Sequence, residues 1–537
     1  MLDTAIIGGG VCGLALARSL AKDGRSFALY EARQRLGGRV LTVACAKTGL
    51  RVDLGPTWFW PETQPVITQL IGELGLVDFP QYDEGAVLVL RDPNKKPETS
   101  AAEGIHSGAR RLDNGMAGLV EALAKDVPEA SIHLDHVLVC VEDRGDHVVL
   151  NLNCGQSTVF VRAKRAVLAV PPRLLAEQIR FTPALDSVLV DAMRETPTWM
   201  AAQAKAVITY ERASWRDNGY SGGAFVTHEQ AVLGEIFDAC DAAGVKPALG
   251  GFLSLSPELR ESFATGLPLL MGNQMGQLFG HALEGCEQHY KDWATEIFTC
   301  ASLDREPPDR HPEFCNPMLR QPLWSGRLLL GTAETASYAG GYLEGALDAA
   351  RRIKRDLDYA LALETNAGRS NRATGAVSDT NAASLAQFGD WVALQAKPAF
   401  ESYRHRLNHA LAQQQKEQLT QRAMLGAAEE VYSSALAKLE ALPFDTTGVA
   451  IERGRSALTP EIQAPFHGFL PALLEDVTSY NRSSCALSNF PDEHHLPADY
   501  VQVILRDIAA AWREFSLSAN AMLVAKADPS APRGRAT

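Results

Sequence analysis

Three glycines near the start of this 537-residue chain have the spacing of a phosphate-binding turn. Gly8, Gly10 and Gly13 follow an apolar stretch, Thr4–Ile7, that predicts a buried strand, and Leu14–Leu20 has helical spacing. In such a strand–turn–helix unit the first glycine permits a tight turn, the second lets the backbone approach a pyrophosphate, and the third allows close packing. The helix N-terminus would present its N–H groups to the phosphates. We therefore expect a dinucleotide-binding βαβ unit.

An acidic residue stands at the expected distance from these glycines. Phe27–Tyr30 predicts a second buried strand, and Glu31 follows it directly. In dinucleotide-binding units an acid about 20 residues beyond the glycines accepts a hydrogen bond from a ribose hydroxyl. The spacing therefore predicts that Glu31 binds the ribose of the nucleotide.

A second glycine pair and an arginine follow this acid. Gly37 and Gly38 precede Arg39, whose planar donors would reach a pyrophosphate. The combination resembles the FAD-binding fingerprint of glutathione-reductase-like flavoproteins and, more narrowly, that of the flavin-containing amine oxidase family. The run Asp-Leu-Gly-Pro-Thr-Trp at residues 53–58 resembles that family's acidic-Leu-Gly turn. The resemblance implies that this turn passes beside the flavin.

The strongest likeness to the family lies past the middle of the chain. Residues 327–335 predict a buried strand that ends in a glycine turn and an acid, Glu334, and residues 340–347 begin a helix that runs to about Leu363. A helix start aimed at a flavin would stabilise negative charge on its reduced ring. This block is similar to the family consensus almost residue for residue, and Leu319-Arg320-Gln321-Pro322 agrees as well. The resemblance implies that Glu334 binds the ribityl or ribose–phosphate region of FAD.

A lysine inside an apolar run is the first candidate for catalysis. Lys205 lies within Met200–Ile208, ten residues before the pair Trp215-Arg216. This segment resembles the one that carries the active-site lysine of amine oxidases. The resemblance implies that Lys205 holds a water against flavin N5 and assists the reaction with oxygen. A cation beside the reduced flavin would stabilise developing superoxide.

A tyrosine at the start of the late helix is the second candidate. The resemblance implies that Tyr342 is one ring of an aromatic cage that aligns the substrate amine over the flavin. Counting from Trp293 places the partner ring at Leu303, so the sequence departs from the family there. The cage has one ring unless Phe298, Trp58 or Trp60 takes the second place in space; the sequence does not decide this.

The resemblance assigns the remaining cofactor contacts residue by residue, including a backbone contact from Val137 to the adenine end. The predicted cofactor-binding positions are Gly8, Gly10, Val11, Cys12, Gly13, Glu31, Ala32, Gly38, Arg39, Gly55, Pro56, Thr57, Trp58, Val137, Glu334, Gly341 and Leu343. Ser302 stands where mitochondrial monoamine oxidases have their flavin-linking cysteine, with Cys300 nearby. We therefore expect FAD to be bound without a covalent link.

Composition narrows the class of protein. A net charge of −13 argues against nucleic acid or an anionic membrane as a partner. The apolar stretches are interrupted well before the ~20 residues that a membrane span requires, so we expect no membrane anchor. The nine cysteines include no CxxC pair, which indicates neither a zinc site nor a redox dithiol. We expect reduced thiols, no metal and a cytoplasmic location.

The order of predicted elements favours an α/β fold built from interleaved segments. Residues 1–60, 110–172 and 304–363 would form a Rossmann-like FAD-binding domain, and residues 61–109 and 173–303 an α+β substrate domain with an antiparallel sheet and helices. A polar linker at 364–384, a helical extension at 385–526 and a disordered tail at 527–537 would follow. Three local predictions are tested below: separate strands over Val159–Ala163 and Ala166–Val170, a helix over Cys286–Tyr290, and one long helix over Phe400–Leu442.

These features together predict an FAD-dependent amine oxidase. As the resemblance implies, a small-molecule amine would give hydride to flavin N5, and oxygen would reoxidise the flavin with release of hydrogen peroxide. Two alternatives stay open: an L-amino acid oxidase or desaturase on the same scaffold, and a weakly active FAD-binding protein that serves assembly. The helical extension would mediate oligomerisation, cap the active site or bind a partner protein, and the sequence does not choose among these.

Overall fold

A computed structural model describes most of the chain, in two compact units. The described residues are 1–100, 106–280, 285–306, 315–367, 379–446, 449, 451–452 and 455–526. The first unit comprises Met1–Cys315 with Arg327–Ala350, and the second comprises Asn316–Gly326 with Arg351–Thr537. The second unit therefore takes a short segment from within the predicted FAD-binding region.

Strands and helices alternate through the first unit, and helices predominate in the second. The strands are β1 (Leu2–Ile7), β2 (Phe27–Tyr30), β3 (Thr42–Ala44), β4 (Arg51–Asp53), β5 (Asp78–Pro80), β6 (Ala86–Leu90), β7 (Glu98–Ser100), β8 (Arg110–Leu112), β9 (Ile132–His133), β10 (Val137–Asp143), β11 (Val148–Cys154), β12 (Ser157–Leu168), β13 (Arg180–Thr182), β14 (Ala204–Tyr210), β15 (Tyr220–Val226), β16 (Leu233–Asp238), β17 (Ala248–Leu253), β18 (Gly285–Asp292), β19 (Leu328–Leu330), β20 (Ile451–Glu452) and β21 (Arg455–Ser456). The α-helices are α1 (Val11–Lys22), α2 (Pro65–Glu73), α3 (Ala117–Lys125), α4 (Pro172–Gln178), α5 (Ser187–Arg194), α6 (Ser214–Asp217), α7 (Pro257–Ser262), α8 (Leu267–Phe279), α9 (Leu343–Ala367), α10 (Asp379–Ala393), α11 (Ala396–Ala412), α12 (Leu419–Ala441), α13 (Thr459–Gln463), α14 (Phe469–Ser483), α15 (Pro491–His495) and α16 (Ala498–Lys526).

The nucleotide-type sheet has a parallel core with an antiparallel flank. Strands β9, β2, β1, β12 and β19 pair in parallel in that order, and helix α1 connects β1 to β2. The first half of β12 pairs antiparallel with β11, while its second half pairs with β1 and β19. A parallel connection needs a crossover of this kind, and the buried residues of β1 and β2 give it its core. The mixed α/β fold predicted from the sequence is confirmed.

The second large sheet has seven strands in the order β18, β14, β17, β16, β15, β6 and β7. Helix α8 packs its Leu267, Met271 and Met275 into the core of this sheet. Strand β14 lies one strand in from the edge and is buried along its whole length. The sheet therefore holds every residue of β14, Lys205 included, away from solvent.

Two local predictions are wrong, and one pair of predicted strands is a single strand. Residues 286–290 lie in strand β18 and not in a helix, because they pair antiparallel with β14 and the ladder overrides a five-residue pattern. The predicted helix over Phe400–Leu442 breaks between Ala412 and Leu419, where Gln414 and Gln418 have φ values of 58° and 55°. The strands predicted at 159–163 and 166–170 form the continuous strand β12.

The second unit is a helical bundle with a buried ionic cluster. The Arg320 side chain donates to Glu429 and, over 2.6 Å, to Glu514, and it is almost completely buried. Arg352 donates to the Arg320 carbonyl over 3.1 Å, and burial raises the pKa of Asp356 to about 7. Buried charges need such partners, since removing one partner leaves an uncompensated charge. The cluster fixes segment 316–326 within this unit.

The helices of the second unit extend into both ends of the predicted linker. Helix α9 ends at Ala367 and α10 begins at Asp379, while residues 368–378 and the tail 527–537 lie outside the described residues.

Among the described helices, none combines the length and apolar character that a bilayer span demands.

Candidate active site

A cavity of about 320 Å³ in the first unit collects nearly all of the predicted site residues. Its lining includes Gly8, Gly10, Val11, Cys12, Glu31, Ala32, Gly38, Arg39, Gly55, Pro56, Thr57, Trp58, Val137, Lys205, Gly341, Tyr342 and Leu343. Of the predicted positions, Gly13 and Glu334 are not part of the described lining. The fold therefore brings segments that are far apart in sequence to one cavity.

The glycine turn opens the N-terminus of α1 onto this cavity. The N-cap is Gly10, and the first turn contains no acidic residue. Among the described residues, no atom lies within 4 Å of a Cβ built on Gly10, whereas a Cβ on Gly13 would overlap the Gly8 carbonyl oxygen. Gly10 thus leaves space for a ligand, while Gly13 permits close packing. A helix N-terminus of this kind attracts phosphate.

Glu31 lies in the cavity wall at the end of β2 and is 3% exposed. Its carboxylate accepts hydrogen bonds from the Gly9 amide over 2.7 Å and the Arg33 amide over 3.0 Å. These bonds fix the carboxylate at the rim of the glycine turn. Since a carboxylate has about four acceptor sites, it can still accept a bond from a ribose hydroxyl.

Arg39 and Glu334 bind each other. The Arg39 guanidinium donates two hydrogen bonds to the Glu334 carboxylate, over 2.6 and 2.8 Å, and a third to the Trp199 carbonyl over 3.1 Å. Glu334 is 2% exposed, so the carboxylate needs such a partner. Arg39 lines the cavity and Glu334 lies behind it, where it orients the arginine.

Lys205 also lines the cavity and is 2% exposed. Its ammonium donates to the Gly55 carbonyl over 2.9 Å and to the Thr57 hydroxyl. It also lies 5.1–5.3 Å from the ring centres of Trp58, Phe237 and Phe252. Burial lowers the pKa of Lys205 to about 7, although the nearby Asp53 carboxylate opposes this shift.

Asp53 is held beneath the same wall, at the end of β4. The Thr42 hydroxyl and, over 2.9 Å, the Met116 amide donate to its carboxylate. Burial raises the pKa of Asp53 above its ordinary value. The acidic residue of the predicted flavin turn thus anchors the turn from below.

Trp58 is fixed on three sides. Its indole stacks on His106 with 3.8 Å between ring centres, and its edge contacts Phe237 at 4.6 Å. The indole N–H donates to the Gln81 side chain over 2.8 Å. The ring therefore presents a rigid apolar face to the cavity.

Trp199 is a site residue that the sequence reasoning missed. It lines the cavity beside Gly341, where an added Cβ would come within 2.6 Å of the Trp199 Cβ. The buried Asp304 carboxylate accepts the neighbouring Thr198 amide over 2.9 Å and so positions this loop. An aromatic residue five positions before the start of the buried strand β14 was the available signal.

The position expected for the second cage ring lies outside the described lining. Leu303 is 54% exposed, in a short 3₁₀ turn. The three alternatives considered from the sequence, Trp58, Trp60 and Phe298, all line the cavity. The residue count from Trp293 therefore leads to a side chain outside the described lining, and the second cage ring stays a prediction for Trp58, Trp60 or Phe298.

Glu344, two residues after the predicted cage tyrosine, caps the start of helix α2. Its fully buried carboxylate accepts the Val66 and Ile67 amides at the start of α2, over 3.0 and 2.8 Å, and the Tyr338 hydroxyl over 3.1 Å. Gln64, the residue before α2, lines the cavity. The segment 340–347 therefore also positions the start of α2, next to the lining residue Gln64.

The chain is similar in sequence to known proteins. The sequence model of the flavin containing amine oxidoreductase family matches residues 11–99 and 89–354. Flavin-containing amine oxidase A of Equus caballus is 23% identical over 467 residues, which cover 67% of this chain and 86% of that protein. Flavin-containing amine oxidase B of Bos taurus is 23% identical over 461 residues, with the same coverage.

Solved structures share the fold. Cyclohexylamine oxidase from Brevibacterium oxydans IH-35A aligns with a TM-score of 0.55 and 21% identity, over 67% of this chain and 99% of that one. Wild-type putrescine oxidase bound to putrescine aligns with a TM-score of 0.52 and 19% identity, over 66% and 98%.

Proposed function

Because this chain belongs to the flavin-containing amine oxidoreductase family, whose cofactor is FAD, we propose that it oxidises the C–N bond of a small-molecule amine with O2 as electron acceptor. The products would be an imine or the corresponding aldehyde, ammonia and hydrogen peroxide. One observation carries the proposal: a single cavity joins a helix N-terminus, the Glu31 carboxylate and the buried Lys205.

The residues present fit FAD. Gly10 leaves open space before the α1 N-terminus, where the pyrophosphate would lie, and Glu31 would accept the ribose hydroxyl. Gly55–Trp58 and Gly341–Leu343 would flank the flavin ring. When bound, FAD accepts a hydride from the α-carbon of the amine at N5 and is reoxidised by oxygen.

Lys205 would act in the oxygen half of the reaction. Its amine is anchored by Gly55 and Thr57 within a ring-walled part of the cavity, where electrostatic interactions are strong. With a pKa of about 7, it can hold or release a proton near neutral pH. In its charged form it would stabilise negative charge that develops on oxygen.

Tyr342 and the aromatic wall would orient the amine. Trp58, Trp60, Trp199 and Phe252 also line the cavity, so the missing ring at Leu303 does not leave Tyr342 without aromatic neighbours in the lining. Such a wall excludes water and favours the unprotonated amine by desolvation, so that no strong general base is needed.

We also propose that FAD binds without a covalent link. Neither Ser302 nor Cys300 belongs to the described lining, and burial raises the pKa of the Cys300 thiol to about 11. A thiol that stays protonated is a poor nucleophile.

The arginines of the cavity favour an amine over an amino acid as substrate. Arg33 pairs with Glu31 at 3.4 Å and Glu296 at 3.5 Å, and Arg39 pairs with Glu334. Both described lining arginines are thus engaged by carboxylates of the chain. A substrate carboxylate would have to displace one of these pairs.

The test is anaerobic bleaching of the bound flavin, together with peroxide release, on the purified holoenzyme. The panel comprises aliphatic monoamines, diamines, aromatic amines and L-amino acids. We expect bleaching by at least one amine class and peroxide on admission of oxygen. Bleaching by L-amino acids alone would favour the amino acid oxidase, and FAD bound with no bleaching by any compound would favour the assembly role.

Beyond the chemistry, several sequence predictions stay predictions. They are the domain boundaries, a cytoplasmic location, and oligomerisation or partner binding through the helical extension.

A further inference from the structure

A cysteine, a glutamate and a histidine meet away from the cavity, on the edge of the seven-stranded sheet. The potential ligand atoms of Cys45, Glu287 and His289 all lie within 4.8 Å of one another. The Cys45 Sγ is 2.9 Å from one carboxylate oxygen of Glu287, and the His289 Nε2 is 3.3 Å from the other. None of these residues belongs to the described cavity lining.

The fold explains why these three side chains converge. Glu287 and His289 are two residues apart on β18, so their side chains point to the same face of the sheet. Cys45 follows β3, and its amide donates to the Leu50 carbonyl over 2.8 Å, which closes the hairpin with β4. This convergence requires β18 to be a strand; a helix over residues 286–290 would separate the two side chains.

The chemistry of the set points to a borderline-soft cation. Cys45 is 1% exposed, and its sulfur makes polar contacts with the Glu287 carboxylate and, at 3.8 Å, with the Thr209 hydroxyl. The His289 Nε2 atom is buried, and although it lies 3.3 Å from the Glu287 carboxylate, it makes no hydrogen bond of acceptable geometry with a described residue. A buried ring nitrogen that lacks a partner is unfavourable, and a bound metal would satisfy it.

We propose that Cys45, Glu287 and His289 form a three-ligand site for Zn²⁺ with a fourth position open to water. Thiolate, imidazole and carboxylate are the ligand types that zinc takes, at roughly 2.0–2.3 Å each. The thiolate disfavours Mg²⁺ and Ca²⁺, which prefer oxygen ligands. Metal binding would displace the thiol proton, and Zn²⁺ would replace the contact that Cys45 now makes with Glu287.

Such a site would join two parts of the first unit. The β3–β4 hairpin leads directly into Gly55–Trp58 of the cavity wall, while β18 pairs with β14, the strand of Lys205. The Ala46 and Lys47 amides already donate to Glu287, both over 3.2 Å, so the hairpin is preorganised against the strand. Zinc would act as a structural clamp behind the wall and would not contact the substrate.

The experiment measures zinc content and affinity on the intact holoenzyme. Protein purified after Zn²⁺ supplementation and extensive dialysis is analysed by mass spectrometry for metal, and Zn²⁺ affinity is measured by competition with a chelating dye. Cys45→Ser and His289→Asn each remove one ligand. Two variants are matched controls. Cys286→Ser lies on the opposite face of β18, and His147→Asn lies in the connection between β10 and β11. Substitution with Co²⁺ provides a second readout on the unaltered chain, at wavelengths beyond the flavin bands.

We expect one Zn²⁺ per chain, bound at least roughly 100-fold more weakly in both ligand variants and unchanged in both controls. We also expect the visible d–d bands of tetrahedral Co²⁺ in the wild type, at wavelengths beyond the flavin bands. The proposed site would be overturned by any of three results: equal zinc in all variants, no zinc in the wild type, or six-coordinate Co²⁺ spectra. The contact between Cys45 and Glu287 would then be a simple thiol–carboxylate hydrogen bond. Flavin content and amine-dependent bleaching are recorded on the same samples, so failure of the metal site and failure of the proposed activity are distinguishable.

Discussion

The cavity of the first unit combines two kinds of wall: at the end proposed for the nucleotide, a short glycine turn presents its backbone, whereas the aromatic end collects side chains from four distant segments. Gly8, Gly10 and Val11 lie within four consecutive positions, while Trp58, Trp199, Lys205, Phe252 and Tyr342 span most of the unit. The first arrangement depends on local spacing and the absence of side chains. The second depends on tertiary packing and on the burial of one amine. Substitutions at the two ends should therefore affect different properties: FAD affinity at the glycine turn, and reaction rates at the aromatic end.

The largest expected effect comes from the aromatic end. In Lys205→Met, we expect reoxidation of the reduced holoenzyme by O2 to slow by ~100-fold or more, the usual cost of removing one preorganised electrostatic donor. Anaerobic reduction by the amine should change little. Stopped-flow absorbance measures both half-reactions separately, and Lys164→Met, which alters a surface lysine paired with Asp3, is the control. An unchanged oxygen reaction in Lys205→Met would remove this residue from the chemistry.

The nucleotide end should respond through affinity without loss of the fold. In Gly10→Ala, the new methyl group enters open space in the cavity, so we expect FAD to bind ~10-fold or more weakly, about 1.4 kcal/mol. In Gly13→Ala, the methyl group overlaps the Gly8 carbonyl, so the apoprotein itself should lose ~1–3 kcal/mol of stability.

Fluorescence titration of apoprotein with FAD and urea unfolding distinguish these two outcomes. Gly72→Ala, in helix α2 with no described atom within 4 Å of the added Cβ, should alter neither quantity unfavourably. If Gly10→Ala and Gly13→Ala behave alike, the separate roles assigned to these glycines are wrong.

A smaller effect is expected from the ring that would align the substrate. Tyr342→Ala should lower kcat/KM for the amine by about tenfold, because one positioning face is lost while the other lining rings remain. Tyr342→Phe should keep most of the activity, since the ring and not its hydroxyl does the positioning. Steady-state peroxide assays give both values. Loss of activity in the phenylalanine variant would instead assign a role to the hydroxyl.

The smallest effect concerns the pH dependence of stability. The amine of Lys205 keeps its proton to about 10.5 in the unfolded chain but only to about 7 in the folded protein. Between these values the unfolded chain binds more protons, so the free energy of unfolding should rise with pH, by at most about 1.4 kcal/mol per unit. Urea unfolding of the apoprotein at pH 7.5 and 8.5 tests this, and Lys205→Met should flatten the slope. Identical slopes in the two proteins would mean that the folded amine titrates normally.

The same contrast explains what could be predicted from sequence. Strand β2 has the bounds expected from its apolar run, and the glycine turn lies where its spacing indicates. Local backbone rules determine such elements. Trp199 was missed because its place opposite Gly341 results from folding and not from spacing.

Longer-range pairing accounts for the other failures. Residues 286–290 form a strand because β14, some eighty residues earlier, offers a partner that no local pattern reveals. Leu303 lies away from the cavity because a count of residues does not describe the path of a loop. The cluster of Cys45 with Glu287 could not be found by cysteine spacing, since 242 residues separate them.

The dependence of helix α2 on Glu344 has a consequence for biosynthesis. The first amides of α2 donate to Glu344. One edge of β12 pairs with β19, Leu328–Leu330. While these late residues are still inside the ribosome, the emerging N-terminal region has an uncapped helix and an unpaired sheet edge. Such edges promote aggregation, so we expect the nascent chain to need chaperone protection until residue 344 has emerged from the ribosome.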